Sequence, residues 1–121
     1  MPQHLFVYGT LHPDRAPAEI AAAVSQLKRI GSGTIRGRLY NLGDYPGVVI
    51  DPIHNDDIPG TIFALPDDPT LLAALDRYED FRPSDPEGSL FLRKQLLVTL
   101  PDGTTLESWV YLYNRDPAFR N

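Results

Sequence analysis

The 121-residue chain contains no cysteine. A disulfide framework, thiolate catalysis and a cysteine-ligated metal are therefore excluded. No run of 18 apolar residues occurs, so no helical membrane span is expected. Basic residues are in the minority, 11 against 16 acidic, for a formal net charge of −5. A generic phosphate-binding surface needs the opposite balance, so nucleic acid is not an expected partner. His4, His12 and His54 lack the His-x-x-x-His spacing of a metal site, so no metal is expected. There is no P-loop and no G-x-S-x-G elbow. Gly31-Ser32-Gly33-Thr34-Ile35-Arg36 is not a dinucleotide fingerprint, because Arg36 stands in place of the third glycine and the stretch follows a predicted helix, not a strand. No cofactor is expected. Met1 to His4 run straight into Leu5-Phe6-Val7-Tyr8 without a basic region or a separate apolar stretch, so no signal peptide is expected. A reducing, cytoplasmic setting and a monomer are the default expectations.

What is present suits one domain over residues 1–121, with 42% hydrophobic residues to build a core. The 12 prolines, roughly twice the usual share, are scattered singly. They predict short elements joined by turns. Leu5 to Tyr8 reads as a buried strand ending at Gly9. Pro17 to Leu27 reads as a helix, with Gly31 beyond its end. Thr34 to Leu42, Val48 to Ile50, Gly60 to Leu65, Phe91 to Leu100 and Leu106 to Tyr113 read as strands, the last two joined by a turn at Asp102-Gly103. His54-Asn55-Asp56-Asp57 and Pro83 to Gly88 read as loops. A second helix starts with Asp68 as N-cap and Pro69 as first helical residue. About six strands and two helices without regular alternation predict an α+β fold, a small curved sheet or barrel.

The second helix holds the residue that breaks the pattern. With Leu71 at zero, Leu75 falls at about 40° and Leu72 at about 100°. Glu79 falls at about 80°, inside that apolar arc, while Arg77 and Asp80 lie opposite. Burial disfavours a charged carboxylate and raises its pKa toward the value a general base needs. The wheel leaves a second reading open: Glu79 in the last turn reaches solvent or pairs with an arginine such as Arg93. The turn Tyr8-Gly9-Thr10-Leu11 also has two readings. It is an ordinary strand end, or a glycine turn whose backbone N–H groups converge on an anion.

Six short blocks occur in order. They are Tyr8-Gly9-Thr10-Leu11; Gly37-Arg38-Leu39-Tyr40 with Tyr45-Pro46-Gly47; Gly60-Thr61-Ile62-Phe63; Leu75-Asp76-Arg77-Tyr78-Glu79; Phe91-Leu92-Arg93; and Trp109-Val110-Tyr111-Leu112-Tyr113. Together they resemble the γ-glutamylcyclotransferase-like, or AIG2-like, family over nearly the whole chain. The resemblance implies a small mixed β-barrel of about six strands with two flanking helices. It implies a small γ-glutamyl amine or amide as substrate, whose own α-amine attacks its γ-carbonyl. The products are 5-oxoproline and a released amine, an acyl transfer within the substrate that needs no cysteine, serine, metal or cofactor. By position, Glu79 would be the catalytic base. Tyr8, Gly9, Thr10 and Leu11 would hold the glutamyl end and steady the oxyanion. Tyr45, Arg93 and Tyr113 are the remaining substrate-binding candidates. Tyr45 reads equally as part of a turn, Arg93 as a structural partner of a carboxylate, and Tyr113 as a core or surface tyrosine.

Three positions depart from the family pattern. Asp80 stands where glycine often follows the glutamate, Phe91 stands where a tyrosine often opens the strand motif, and His12-Pro13-Asp14-Arg15 follows the first loop. They leave Glu79 in place. They also motivate an alternative, in which the same pocket is a non-catalytic small-molecule binding or interaction module.

Overall fold

The computed structural model describes residues 3–8, 22, 25–41, 46–50, 53 and 56–114. Six strands and a helix follow in the order β1 (Gln3–Val7), β2 (Lys28–Asn41), β3 (Pro46–Val49), β4 (Asp56–Leu65), α1 (Pro69–Tyr78), β5 (Phe91–Thr99) and β6 (Thr105–Tyr113). The hydrogen-bonded order is β3-β2-β4-β1-β6-β5, and β5 returns to β2 at Thr34 opposite Thr99. Five strands therefore close into a barrel, with β3 attached outside the ring on the end of β2. The β1–β6 pair is parallel and the other pairs are antiparallel, so the barrel is mixed. Closure leaves few unpaired strand edges.

Strand alternation sorts the side chains into two layers. Phe6, Ile35, Val48, Ile58, Ile62, Val98, Val110 and Leu112 fill the barrel. Leu5, Val7, Leu27, Phe63, Phe91 and Tyr111 point outward and meet Leu71 and Leu75 of α1. This explains why Leu5 to Val7 is a continuous apolar run: one face looks into the barrel and the other lies under the helix. The helix starts as its sequence predicts. Asp68 accepts a hydrogen bond from the Thr70 amide at 3.0 Å, and Pro69 occupies the first turn.

Three expected boundaries move. β2 begins at Lys28, not Thr34, so Gly31 lies inside a strand, where the register shifts between Arg29 and Gly31. Of the helix expected over Pro17 to Leu27, only Ala22, Ser25, Gln26 and Leu27 are described. Ala22 is helical, Ser25 and Gln26 form a turn, and Leu27 is buried just before β2. The expected helix end is therefore about a turn too late. β4 likewise starts at Asp56, so Asp56 and Asp57 are strand residues and not part of a loop. Asp57 pairs at the surface with Arg36.

The glycines of β2 and β4 misled the boundaries because they serve the barrel. Gly33 and Gly60 face each other across the β2–β4 pair. A Cβ on Gly33 would sit 2.5 Å from Val98 Cγ1, and a Cβ on Gly60 would sit 2.5 Å from Phe6 Cζ and 2.6 Å from the Val7 carbonyl oxygen. Facing glycines thus make room for Phe6 and Val98 where the ring closes. Gly60→Ala should destabilise the protein by roughly 1–3 kcal/mol through overpacking against backbone. Urea denaturation checks this, and an unchanged midpoint would contradict the packing described.

Candidate active site

The C-terminal end of α1 is fixed by its backbone. Glu79 caps the helix and its amide donates to the Leu75 carbonyl at 3.0 Å. Asp80 takes φ 56°. Its N–H bonds the Arg77 carbonyl at 3.2 Å, and the next N–H, of Phe81, bonds the Asp76 carbonyl at 2.8 Å. These two bonds with one left-handed residue make a Schellman motif, whose left-handed position favours glycine but tolerates aspartate. The departure at Asp80 therefore keeps the helix ending intact.

The side chain of Asp76 holds the same turn against the barrel. Its Oδ1 accepts from Arg93 Nε at 2.8 Å and its Oδ2 from Arg93 Nη2 at 3.2 Å. The Tyr111 hydroxyl donates to Oδ1 at 2.7 Å. The pair is largely withdrawn from water, with side-chain exposures of 14% for Arg93 and 8% for Asp76. The guanidinium lies over the Trp109 ring, 4.2 Å from its centroid. Arg93 and Tyr111 are cross-strand partners on β5 and β6, so one point of the sheet supplies both donors.

Tyr8, just beyond β1, joins this cluster from the other side. Its hydroxyl donates to the Tyr111 carbonyl and accepts from the Val48 amide at 3.2 Å. Tyr111 therefore touches both halves of the candidate site, the helix through its hydroxyl and Tyr8 through its backbone. Burial raises the Tyr8 phenol well above the ordinary tyrosine range, the hydrogen bond from Val48 opposes that, and the charge of Glu79 adds to it. Burial likewise raises Tyr111, followed by the bond and charge of Asp76; the Arg93 charge works against this and the Glu79 charge with it.

Glu79 is the unusual group. Burial pushes its carboxyl up to about 7 from an ordinary 4.5. Among the described residues no hydrogen bond or ion pair engages its carboxylate. Of the two readings open at the helical wheel, pairing with Arg93 is not what the structure shows, because the fork of Arg93 is on Asp76. Tyr113 is half-buried on β6, with its ring edge-on to Phe91 at 5.7 Å. Gly9, Thr10, Leu11 and Tyr45 lie outside the described residues. No three His, Cys, Asp or Glu side chains among the described residues group as a metal site. A groove of about 310 Å³ opens at the opposite end of α1, between Gln3, Leu65 and the turn from Pro66 to Pro69. It contains none of the residues above.

Asp76 and Tyr111 were not singled out from the sequence. On the wheel Asp76 falls at about 140°, beside the apolar arc. Tyr111 alternates with Trp109 and Tyr113 on the face that meets the helix. A carboxylate at the border of an apolar stripe, with arginine and tyrosine on facing strands, was the available signal.

A family model described as gamma-glutamyl cyclotransferase, AIG2-like, matches residues 5–120. A search of curated proteins found no match. Among solved structures, an AIG2-like protein from Mus musculus superposes with a TM-score of 0.74 at 23% identity, covering 98% of this chain and 82% of that one. YkqA from Bacillus subtilis gives 0.70 at 23% identity, covering 94% of this chain but 36% of its own length. A structure titled gamma-glutamyl cyclotransferase gives 0.65 at 13% identity, covering 93% and 67%. These likenesses are of fold.

The raised Glu79 value has a consequence for stability. Between about 4.5 and about 7 the folded protein binds more protons than the unfolded chain. The favourable contribution is complete below the lower value and is lost as pH rises through the upper one. Glu79→Gln removes the cost of burying the charge, so at pH 8 it should stabilise the protein by roughly 2–3 kcal/mol, with little difference at pH 4. Urea midpoints at the two pH values check this; parallel pH dependences in the two proteins would contradict the burial of Glu79.

Proposed function

The chain belongs to the gamma-glutamyl cyclotransferase, AIG2-like family, and on that premise we propose that it cyclises a small γ-glutamyl amine or amide to 5-oxoproline with Glu79 as the general base. The observation that carries the reading is the carboxyl of Glu79. It is half-buried, withdrawn from water enough to bring its proton affinity toward neutral pH, and unpaired among the described residues.

In this reading the substrate supplies both reacting groups. Glu79 takes a proton from the substrate's α-ammonium. The freed nitrogen attacks the γ-carbonyl carbon, a C–N bond forms and a five-membered lactam closes. The original γ-amide C–N bond then breaks. The two protons that the α-nitrogen loses pass to the departing nitrogen, with Glu79 as the relay, so the amine leaves protonated. The enzyme's part is to fold the substrate into a near-attack shape and to move protons.

The remaining candidates take supporting places. The backbone N–H groups of Gly9, Thr10 and Leu11, which follow Tyr8, hold the glutamyl end and the developing oxyanion. Tyr45 and Tyr113 line the substrate's path. The Tyr8 hydroxyl is already shared between the Tyr111 carbonyl and the Val48 amide, so Tyr8 orients the loop it begins. Arg93 contributes through Asp76. Phe91 is a core residue packed on Tyr113, so the hydroxyl missing there leaves the base untouched.

The test is 5-oxoproline release from a panel of γ-glutamyl amines and dipeptides. Glu79→Gln should lower kcat by about 10²- to 10⁴-fold, the range for loss of a general base, with substrate affinity retained. Equal turnover by the variant would contradict the mechanism. A saturating calorimetric isotherm without any 5-oxoproline would favour the binding-module alternative.

A further inference from the structure

The candidate site contains a cation that the proposed base does not use. Asp76, Arg93 and Glu79 each act electrostatically on the Tyr111 hydroxyl, so the three charges share one neighbourhood. Asp76 and Glu79 are three residues apart at the end of α1. That spacing puts their Cβ atoms about 5–6 Å apart on one side of the helix. An arginine that reaches Asp76 therefore has Glu79 as its next carboxylate.

Arg93 nonetheless sits wholly on Asp76, with Nε at 2.8 Å and Nη2 at 3.2 Å from its two oxygens. The planar fork matches a carboxylate edge, which favours this two-point contact over a single one. Aromatic rings set the plane: Trp109 lies 4.2 Å from the guanidinium carbon and Phe81 5.6 Å. The Tyr111 hydroxyl fixes the carboxylate from a third direction. The other ionisable groups at this end, among the described residues, are Tyr8 beyond β1, Tyr111 and Tyr113 on β6, and Arg77, Tyr78, Asp80 and Arg82 beside Glu79. Of these Arg77 and Arg82 are cations; both are exposed, and Arg82 pairs with Asp80 and Asp85.

We propose that Asp76 is a positioning residue that captures Arg93 and thereby keeps Glu79 free of a cationic partner. A guanidinium on Glu79 would hold it as a stable carboxylate with little affinity for a proton, and so weaken it as a base near neutral pH. The catalytic weight of the proposal rests on the reading of Glu79 as the base. The charge arrangement itself does not.

The test is the titration of Glu79 by carbon-13 NMR of labelled glutamate carboxyls in the ligand-free protein. Its resonance is identified as the one that Glu79→Gln removes. Asp76→Asn releases the guanidinium, and the Glu79 midpoint should fall by at least one pH unit. Arg93→Gln keeps an amide donor for Asp76 but removes the positive charge, leaving the Asp76 charge uncompensated beside Glu79. Its midpoint should rise. The double variant should return close to the parent value. Shifts of opposite sign distinguish this from general loosening, which would hydrate Glu79 and lower the midpoint in both single variants. An unchanged or raised midpoint in Asp76→Asn overturns the proposal, as does an unchanged or lowered one in Arg93→Gln. If Asp76→Asn does not fold, Arg93→Gln decides by itself. Turnover is not the readout. A protein that titrates as expected but releases no 5-oxoproline from any γ-glutamyl compound would overturn the proposed function and leave the charge arrangement standing.

Discussion

The Asp76 carboxylate is the interaction on which the candidate site depends. It takes the fork of Arg93 from β5 and the hydroxyl of Tyr111 from β6, while its backbone carbonyl receives Phe81 in the helix-terminating turn. One residue thus ties the end of α1 to the barrel by both side chain and main chain. Breaking a buried pair of this kind by removing one partner costs about 3–5 kcal/mol, because the other charge is left stranded. The same tie decides where Glu79 stands. Three residues beyond Asp76, at the helix cap, it is held by backbone geometry and left without a partner for its charge among the described residues.

The barrel below serves that arrangement. Facing glycines at 33 and 60 let the ring close over Phe6 and Val98. Closure sets β1 parallel to β6, with Leu5 opposite Trp109. Tyr8 therefore emerges beside Tyr111, close enough to the helix end for the charge of Glu79 to act on its hydroxyl. The energetic order is clear. Apolar burial in two layers stabilises the frame, and the ion pair specifies the docking of the helix end. Glu79 opposes both by carrying a carboxyl into a desolvated position, a cost that a purely structural sequence would avoid.

Much of this was legible in the sequence, where local chemistry decides the outcome. The start of α1 follows from Asp68 and Pro69, whose capping roles are written into adjacent residues. Glu79 stood out because it breaks an apolar stripe, and a helical wheel displays such a break. β5, β6 and their Asp102-Gly103 turn followed from alternation and turn type. What stayed hidden depends on residues far apart in the chain. Gly33 fell outside the expected strand because its value lies in how closely Val98 and Ile62 approach it, which no local window contains. Asp76 was not singled out because its partners lie 17 and 35 residues away. The pairing of Arg93 was foreseen in kind, a structural bond to a carboxylate, but not in partner. Asp76 and Glu79 lie one turn apart, and only the register of β5 against β6 chooses between them.

The central claim is that burial gives Glu79 the proton affinity of a base working at neutral pH. The most direct measurement sets two curves from one protein side by side. One is the NMR titration of the Glu79 carboxyl, and the other is the pH dependence of 5-oxoproline release under subsaturating γ-glutamyl substrate. The account predicts a release rate that rises with pH as Glu79 loses its proton, with both midpoints near 7. A Glu79 that titrates near its ordinary 4.5, or a release rate indifferent to the ionisation of that carboxyl, would contradict it.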